Sequence, residues 1–166
     1  VRGYCIFGGW MIASAMDLIF AAEDAMFLGT NFQYFSAPWD IHPRKLKEIF
    51  FESRFINARE AEQLELVNRV YPGHTLMSET QRYARRIAEN DSFQLRMIKQ
   101  AINQTQDTQG YRTAIGAAHN IHMLSSTGEA DPGFELNKPA TRRRPMVQQA
   151  LKNYENHQQD QDQQQE

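Results

Sequence analysis

Apolar and polar positions alternate along this chain in two regimes, one strand-like and one helical. The first apolar stretch runs from Val1 through Phe7, meets the pair Gly8-Gly9, and passes into Trp10, Met11, Ile12 and Ala13 with helical spacing. Leu18 to Ala22 and Ala25 to Leu28 are short apolar runs separated by Glu23-Asp24, the pattern of two buried strands around a turn. Gly29 to Pro43 mixes aromatics, polar residues and two prolines with no period, so it reads as a loop able to line a pocket. Leu46, Ile49 and Phe50 then fall at helical spacing within Arg44 to Arg54. Asn57 with Glu60 three residues on has the form of a capping box for a short helix ending near Leu64, and Leu66 to Tyr71 reads as a strand stopped by Pro72-Gly73.

From Thr75 the period is helical only. Leu76, Tyr83, Ile87 and Ala88 mark one helix. Asp91 with Gln94 caps a second, with Leu95, Ile98, Ile102 and Thr105 on one face, and Gly110 separates it from a third that carries Tyr111, Ala114, Ile115, Ala118, Ile121 and His122. Gly128 to Pro139 is expected to be a loop, and Pro145 to Asn156 a last helix with proline in its first turn. The Gln-rich segment 156–166 cannot bury a core and is expected to be disordered. Strands alternating with helices argue for an α/β layered fold, and the change of period near residues 75 to 90 marks a candidate boundary.

A length of 166 residues with 41% hydrophobic content suits one soluble globular unit. The net charge of −2 provides no basic stripe for nucleic acid, and the longest apolar run is interrupted by glycines and too short to span a bilayer. A single cysteine, Cys5, excludes an internal disulfide and a Cys-rich metal site, and it lies in an apolar run that favours an inert buried thiol. His119 and His122 share a helix but have no Cys or Glu near them in sequence to complete a metal site. No metal and no cofactor is expected, and the cytoplasm is the default compartment.

Two readings of Gly8-Gly9 stay open on local sequence. Glycines there permit close packing of helix on strand; equally, they let the backbone turn and present free N–H groups at a helix start to an anion or a developing oxyanion.

The order of motifs resembles the crotonase (enoyl-CoA hydratase/isomerase) family. Val1, Gly3, Gly8, Gly9, Ala13 and Asp17 match its V-x-G-x-x-x-G-G-G-x-x-L-A-x-x-x-D run. Ala21 to Phe27, Pro38 and the stretch Phe55 to Pro72 continue the resemblance, with Glu65 in place of the usual glycine of the G-L-V-N motif. The resemblance covers about residues 1 to 105. It implies the C-terminal part of a crotonase-like ββα spiral over residues 1–90, a helical oligomerisation region over 91–155, and a homotrimer or a dimer of trimers. It implies an acyl-CoA substrate, with coenzyme A present only as part of that substrate. Because it begins part-way into the family, the chain is expected to be the later portion of a longer protein, inactive on its own and lacking the family's first oxyanion donor.

The resemblance makes Gly8 an oxyanion N–H donor. It places the family's two catalytic glutamates on Met11 and Asn31, neither of which ionises. Simple hydration by the usual pair is therefore not expected. The replacement candidates are Asn31 and Asp40, the latter one residue past Trp39, near which some relatives carry a working carboxylate. Asp40 is read either as that base or as a cap for the next helix. Gly9, Trp10, Met11, Trp39 and His42 are the candidate substrate contacts; for Trp10 and Met11 plain core, and for His42 a turn position, are the competing readings.

Overall fold

The computed structural model describes residues 1–29, 33–127 and 145–163. Five strands and eight helices follow one another among them: β1 (Tyr4–Ile6), α1 (Gly8–Ser14), β2 (Phe20–Ala22), β3 (Met26–Leu28), α2 (Ala37–Asp40), α3 (Pro43–Glu52), β4 (Ile56–Asn57), α4 (Ala58–Gln63), β5 (Arg69–Tyr71), α5 (Leu76–Ala88), α6 (Ser92–Thr108), α7 (Tyr111–Thr127) and α8 (Pro145–Gln163). β1 and β3 run parallel with Tyr4 opposite Met26, Cys5 opposite Phe27 and Ile6 opposite Leu28, and β4 adds antiparallel to β3. β2 pairs instead with β5, in parallel. The strands expected around Glu23-Asp24 both exist, and each joins a different sheet, so the chain winds from one sheet to the other.

The space between is filled by Phe27, Ile56, Val67, Leu66 and Ile19. Ala21, Ala22, Ala25, Ala58 and Ala61 are each fully enclosed, and their small side chains let backbone pack close to backbone. Asn68 joins the sheets' connections: its Oδ1 accepts from the Ile19 N–H at 2.7 Å, and its own N–H donates to the Ile19 carbonyl at 2.8 Å. The Leu66–Tyr71 strand is shorter than its apolar pattern suggests, because Asn68 is spent on this cross-link and pairing begins at Arg69.

α3 stops where Ser53 takes left-handed backbone, φ 49°. That turn sends Arg54 inward, 1% exposed, where its guanidinium donates twice to Glu60 (2.9 and 2.7 Å), once to Glu52 (2.6 Å) and once to the Phe55 carbonyl (3.1 Å). A buried cation needs that full set of acceptors. Burial alone would lower its pKa, and the bonds to Glu60 and Glu52 more than reverse this. Asn57 caps α4 as expected, its Oδ1 accepting from the Glu60 N–H at 2.8 Å, but Glu60 turns to Arg54, so only half of the capping box forms.

The segment 156–163, expected to be disordered, continues α8. Docking decides this where composition could not. Ala150 is buried against Leu28 and Phe55, the Tyr154 hydroxyl accepts from Asn57 Nδ2 at 2.9 Å, and Asn153 donates to the Glu52 carbonyl at 2.7 Å. His157 then lies 3.4 Å from Glu52, so the anchored helix carries the polar end with it. The expected loop at Gly128 to Pro139 lies outside the described residues.

α5 lies on the β2–β5 sheet through Tyr83, whose ring sits 5.0 Å from Phe20 and takes Arg86 over its face at 4.9 Å. α6 starts at the Asp91 cap, Oδ1 accepting from the Gln94 N–H at 2.8 Å, yet buries none of its residues. Among the described residues no helix is long and apolar enough to cross a membrane.

Candidate active site

β1 leads straight into the double-glycine bend. The Phe7 N–H still belongs to the sheet, donating to the Leu28 carbonyl at 2.8 Å. Phe7 then takes φ 49°, ψ −103°, and α1 begins at Gly8. The first helical acceptor, the Phe7 carbonyl, is used by the Met11 N–H at 3.0 Å, so the N–H groups of Gly8, Gly9 and Trp10 precede the helix's own ladder. The sharp turn expected of the glycines is made by Phe7, since neither Gly8 nor Gly9 has positive φ. The glycines instead leave space. A Cβ on Gly8 would touch only Met11 Cε at 4.0 Å, and one on Gly9 only Cys5 Sγ at 3.6 Å.

Trp10 turns away from this opening. It is 5% exposed and meets Phe27 and Phe50 edge-on, with centroids 6.1 Å away in each case, so its expected role as a substrate contact gives way to the core. Met11 is half-buried and Gly9 exposed at the bend. Gly29 fits directly over Trp10. A Cβ there would come within 2.9 Å of the indole and 3.0 Å of Phe50, which only glycine avoids.

The chain beyond Gly29 brings a second group of residues together. Asn31 lies outside the described residues. The Tyr34 hydroxyl is 2.7 Å from the hydroxyl of Tyr111 on α7, and the Tyr111 ring stands edge-on to Trp39 at 5.4 Å. Ser36, 2% exposed, has a buried Oγ with no hydrogen bond of good geometry; it is nonetheless near enough to Tyr111 to ease ionisation of that phenol. Burial, then the Tyr34 bond, and lastly the Asp40 charge outweigh Ser36 and push the Tyr111 phenol up, so it stays neutral.

Asp40 closes α2. As a residue it is exposed, but its carboxyl lies against enough protein for burial to raise it from an ordinary aspartate value to about 6. The capping role weighed for it falls to His42, whose Nδ1 accepts from the Arg44 N–H at 3.3 Å. Pro43 occupies the first position of α3, which makes the residue before it the cap and leaves Asp40 in the helix before. His42, expected to touch substrate, is therefore used locally.

An apolar cavity of about 390 Å³ adjoins this segment, lined by Phe35, Pro38, Leu46, Phe50, Phe51 and Met146. Neither Gly8 nor Asp40 lines it; it shares with the polar cluster only the chain between Tyr34 and Asp40.

Tyr111 is the residue that sequence reasoning passes over. Its position in a helical period marks it only as apolar, and the one available signal is Gly110, φ 99°, which sets a phenol at the first turn of α7. Elsewhere the candidates have structural partners. Asp17 pairs with Lys99 of α6 at 2.5 Å, both side chains being exposed. Cys5 is buried, and burial pushes its thiol up, as suits an inert cysteine. Among the described residues no group of three His, Cys, Asp or Glu side chains forms a metal site.

Known proteins share this fold. The enoyl-CoA hydratase/isomerase family profile matches residues 1–135. The chain is 34% identical over 169 aligned positions to a Mycobacterium tuberculosis protein named as an enoyl-CoA hydratase, EchA13, covering 90% of this chain and 53% of the relative. Crystal structures described as enoyl-CoA hydratases from Mycobacterium smegmatis (39% identity, TM-score 0.70, 74% of this chain and 52% of that one) and Mycobacterium thermoresistibile (41%, 0.72, 76% and 56%) superpose on it. The chain thus spans about half the length of these relatives. With its crotonase-like α/β fold and a family match over most of its length, the chain belongs to the enoyl-CoA hydratase/isomerase family.

Proposed function

We propose that the whole protein acts on an acyl-CoA thioester, with the Gly8 N–H as one donor to the thioester oxygen and Asp40 as the acid/base. The observation that carries this reading is the bend at Phe7. A non-glycine residue at φ 49°, ψ −103° costs on the order of 1–3 kcal/mol, and such outliers persist where the surroundings enforce them for a use. Here the use would be to set the unladdered Gly8 amide at the helix start, where a Cβ would meet only Met11 Cε at 4.0 Å.

As an α-proton leaves or a nucleophile adds, charge collects on the thioester oxygen. A fixed amide already pointing at that oxygen stabilises the charge without reorganising. Asp40 at about 6 is ionised near neutral pH, yet basic enough to take a proton from carbon or water and return it. Met11 and Asn31 stand where the resemblance puts the two glutamates, so the reaction is an atypical one such as isomerisation, decarboxylation or C–C hydrolysis. The apolar cavity beside Phe35 and Pro38 offers room for the hydrocarbon part of the acyl group.

The test is turnover by the whole protein of crotonyl-CoA and a panel of cyclic acyl-CoAs, repeated with Asp40→Asn. Loss of about 10²-fold or more in kcat is expected for the variant. Failure to bind or turn over any thioester would end this reading.

A second reading, a non-catalytic acyl-CoA-binding or assembly subunit, is favoured by the same Met11 and Asn31. Calorimetry that records CoA-thioester binding while every turnover assay stays silent supports it. For assembly we propose a homotrimer or a dimer of trimers; exposed Ile98, Ile102, Ile121 and Leu124 on α6 and α7 support an interface there. A lone buried thiol is consistent with work in the cytoplasm.

A further inference from the structure

Tyr111 belongs to the helical region, 71 positions after Asp40 in sequence, yet three separate features bind it to the segment that carries Asp40. Its hydroxyl is 2.7 Å from that of Tyr34, and its ring meets Trp39 edge-on at 5.4 Å. The buried Ser36 Oγ, without a well-formed bond of its own, lies beside the same phenol. These contacts fall just before α2, at Tyr34 and Ser36, and within it, at Trp39.

We infer that Tyr111 is a positioning residue, clamping residues 34–40 onto α7 and thereby fixing where the Asp40 carboxyl sits. The inference rests on Asp40 being the acid/base of the proposed reaction only for its consequence in catalysis; the clamp itself stands on the contacts above.

The clamp acts on the short helix that ends at Asp40, a residue exposed as a whole whose carboxyl burial nonetheless raises. A short helix has little stability of its own, and its last residue would otherwise turn to solvent. With α7 in place, the neutral Tyr111 phenol lies near enough to feel the Asp40 charge while its ring packs edge-on to Trp39. Tyr111 from α7 feels the Asp40 charge, and His42, the cap of α3, follows two residues on in the chain. His42 is engaged with the Arg44 N–H, and the neighbouring cation of α7, Arg112, is paired with Asp107 at 2.9 Å. Burial is accordingly what raises the Asp40 carboxyl. Loosening the clamp admits water and favours the ionised form.

The test is a carbon-detected NMR titration of the Asp40 carboxyl in the whole protein, assigned with Asp40→Asn. It compares the unaltered protein with Tyr111→Phe, Tyr34→Phe, the double variant and Tyr111→Ala. Removing either hydroxyl is expected to raise the Asp40 ionisation constant at least threefold. The double variant should match the single ones, because one bond is shared between the two residues. Tyr111→Ala, which also removes the ring contact with Trp39, should raise it at least tenfold. If Tyr111→Ala fails to fold, the two Phe variants decide.

An Asp40 titration unchanged in folded Tyr111→Phe and Tyr34→Phe would overturn the inference, as would additive effects in the double variant. The acid limb of kcat/KM should move to lower pH in step with the carboxyl. A limb that ignores the carboxyl while the NMR shifts appear would refute the catalytic role of Asp40 and leave the clamp standing.

Discussion

Phe7, Ser53 and Glu65 hold positive φ without being glycine, at 49°, 49° and 64° among the described residues. Two of them coincide with glycines of the family pattern: Phe7 stands at the first of the three consecutive glycines, and Glu65 at the glycine before Leu66-Val67-Asn68. The backbone therefore keeps the shape that glycine normally serves, and the side chain bears the steric cost. Phe7 recovers part of that cost by packing with Leu28 and Phe55, whereas Glu65 is exposed and recovers nothing. Glu65→Gly is expected to stabilise the fold by about 0.5–1 kcal/mol in urea unfolding, the αL relief exceeding the added chain entropy. A loss of stability would mean that Glu65 holds a contact the structure does not contain.

Asp40 makes a pH-dependent prediction at the same scale. Its carboxyl is raised in the folded state, so folding favours the protonated form. That favourable contribution is complete below the ordinary aspartate range near pH 4 and is lost as pH climbs through about 6. Asn imitates the protonated group at every pH. Asp40→Asn should therefore raise Tm relative to the unaltered protein at pH 7.5, with the gap closing by pH 4. A gap that is the same at both pH values would show that Asp40 is not held away from water.

At the level of elements, α8 shows how docking overrides composition. Its polar stretch has no core-forming residues, but Ala150, 2% exposed, packs into the cluster of Leu28 and Phe55, and Asn153 and Tyr154 add bonds to α3 and β4. Ala150→Leu should overpack that contact at a cost of about 1–3 kcal/mol and release the helix. Hydrogen exchange would then speed up through residues 146–163 first, while β1 and β3 keep their protection. The same scale accounts for α2 and α3: Pro43 sets His42 as the cap, and Asp40 stays in the helix before.

For the whole molecule, the uneven distribution of burial is the main feature. The sheets with α1, α3 and α4 enclose the larger core and α8 closes a smaller one on Leu28 and Phe55, while α6 buries nothing and shows Phe93, Met97, Ile98 and Ile102 to solvent. Apolar surface of this extent on one helix pair calls for a covering partner. With a further copy of the protein as that partner, Ile98→Asp combined with Ile102→Asp should reduce the mass of the whole protein in light scattering to that of a single chain. Circular dichroism should change little, since both residues are half or more exposed at 54% and 57%. An unaltered mass would exclude this face from the assembly.

The order of elements could be read from the chain because short-range physics sets it. Period-two and helical spacing of apolar residues, the Asn57 and Asp91 caps, and the breaks at Pro72-Gly73 and Gly110 all act within a few residues. The ordered motifs also carried the family. Only the tertiary structure decided which strands share a sheet, that Phe7 and not the glycine pair makes the bend, and that Trp10 belongs to the core. It alone put Tyr111 beside Asp40 and drew the Gln-rich end into α8. These outcomes depend on contacts between residues far apart in sequence and on whether water reaches them, and no local pattern encodes either.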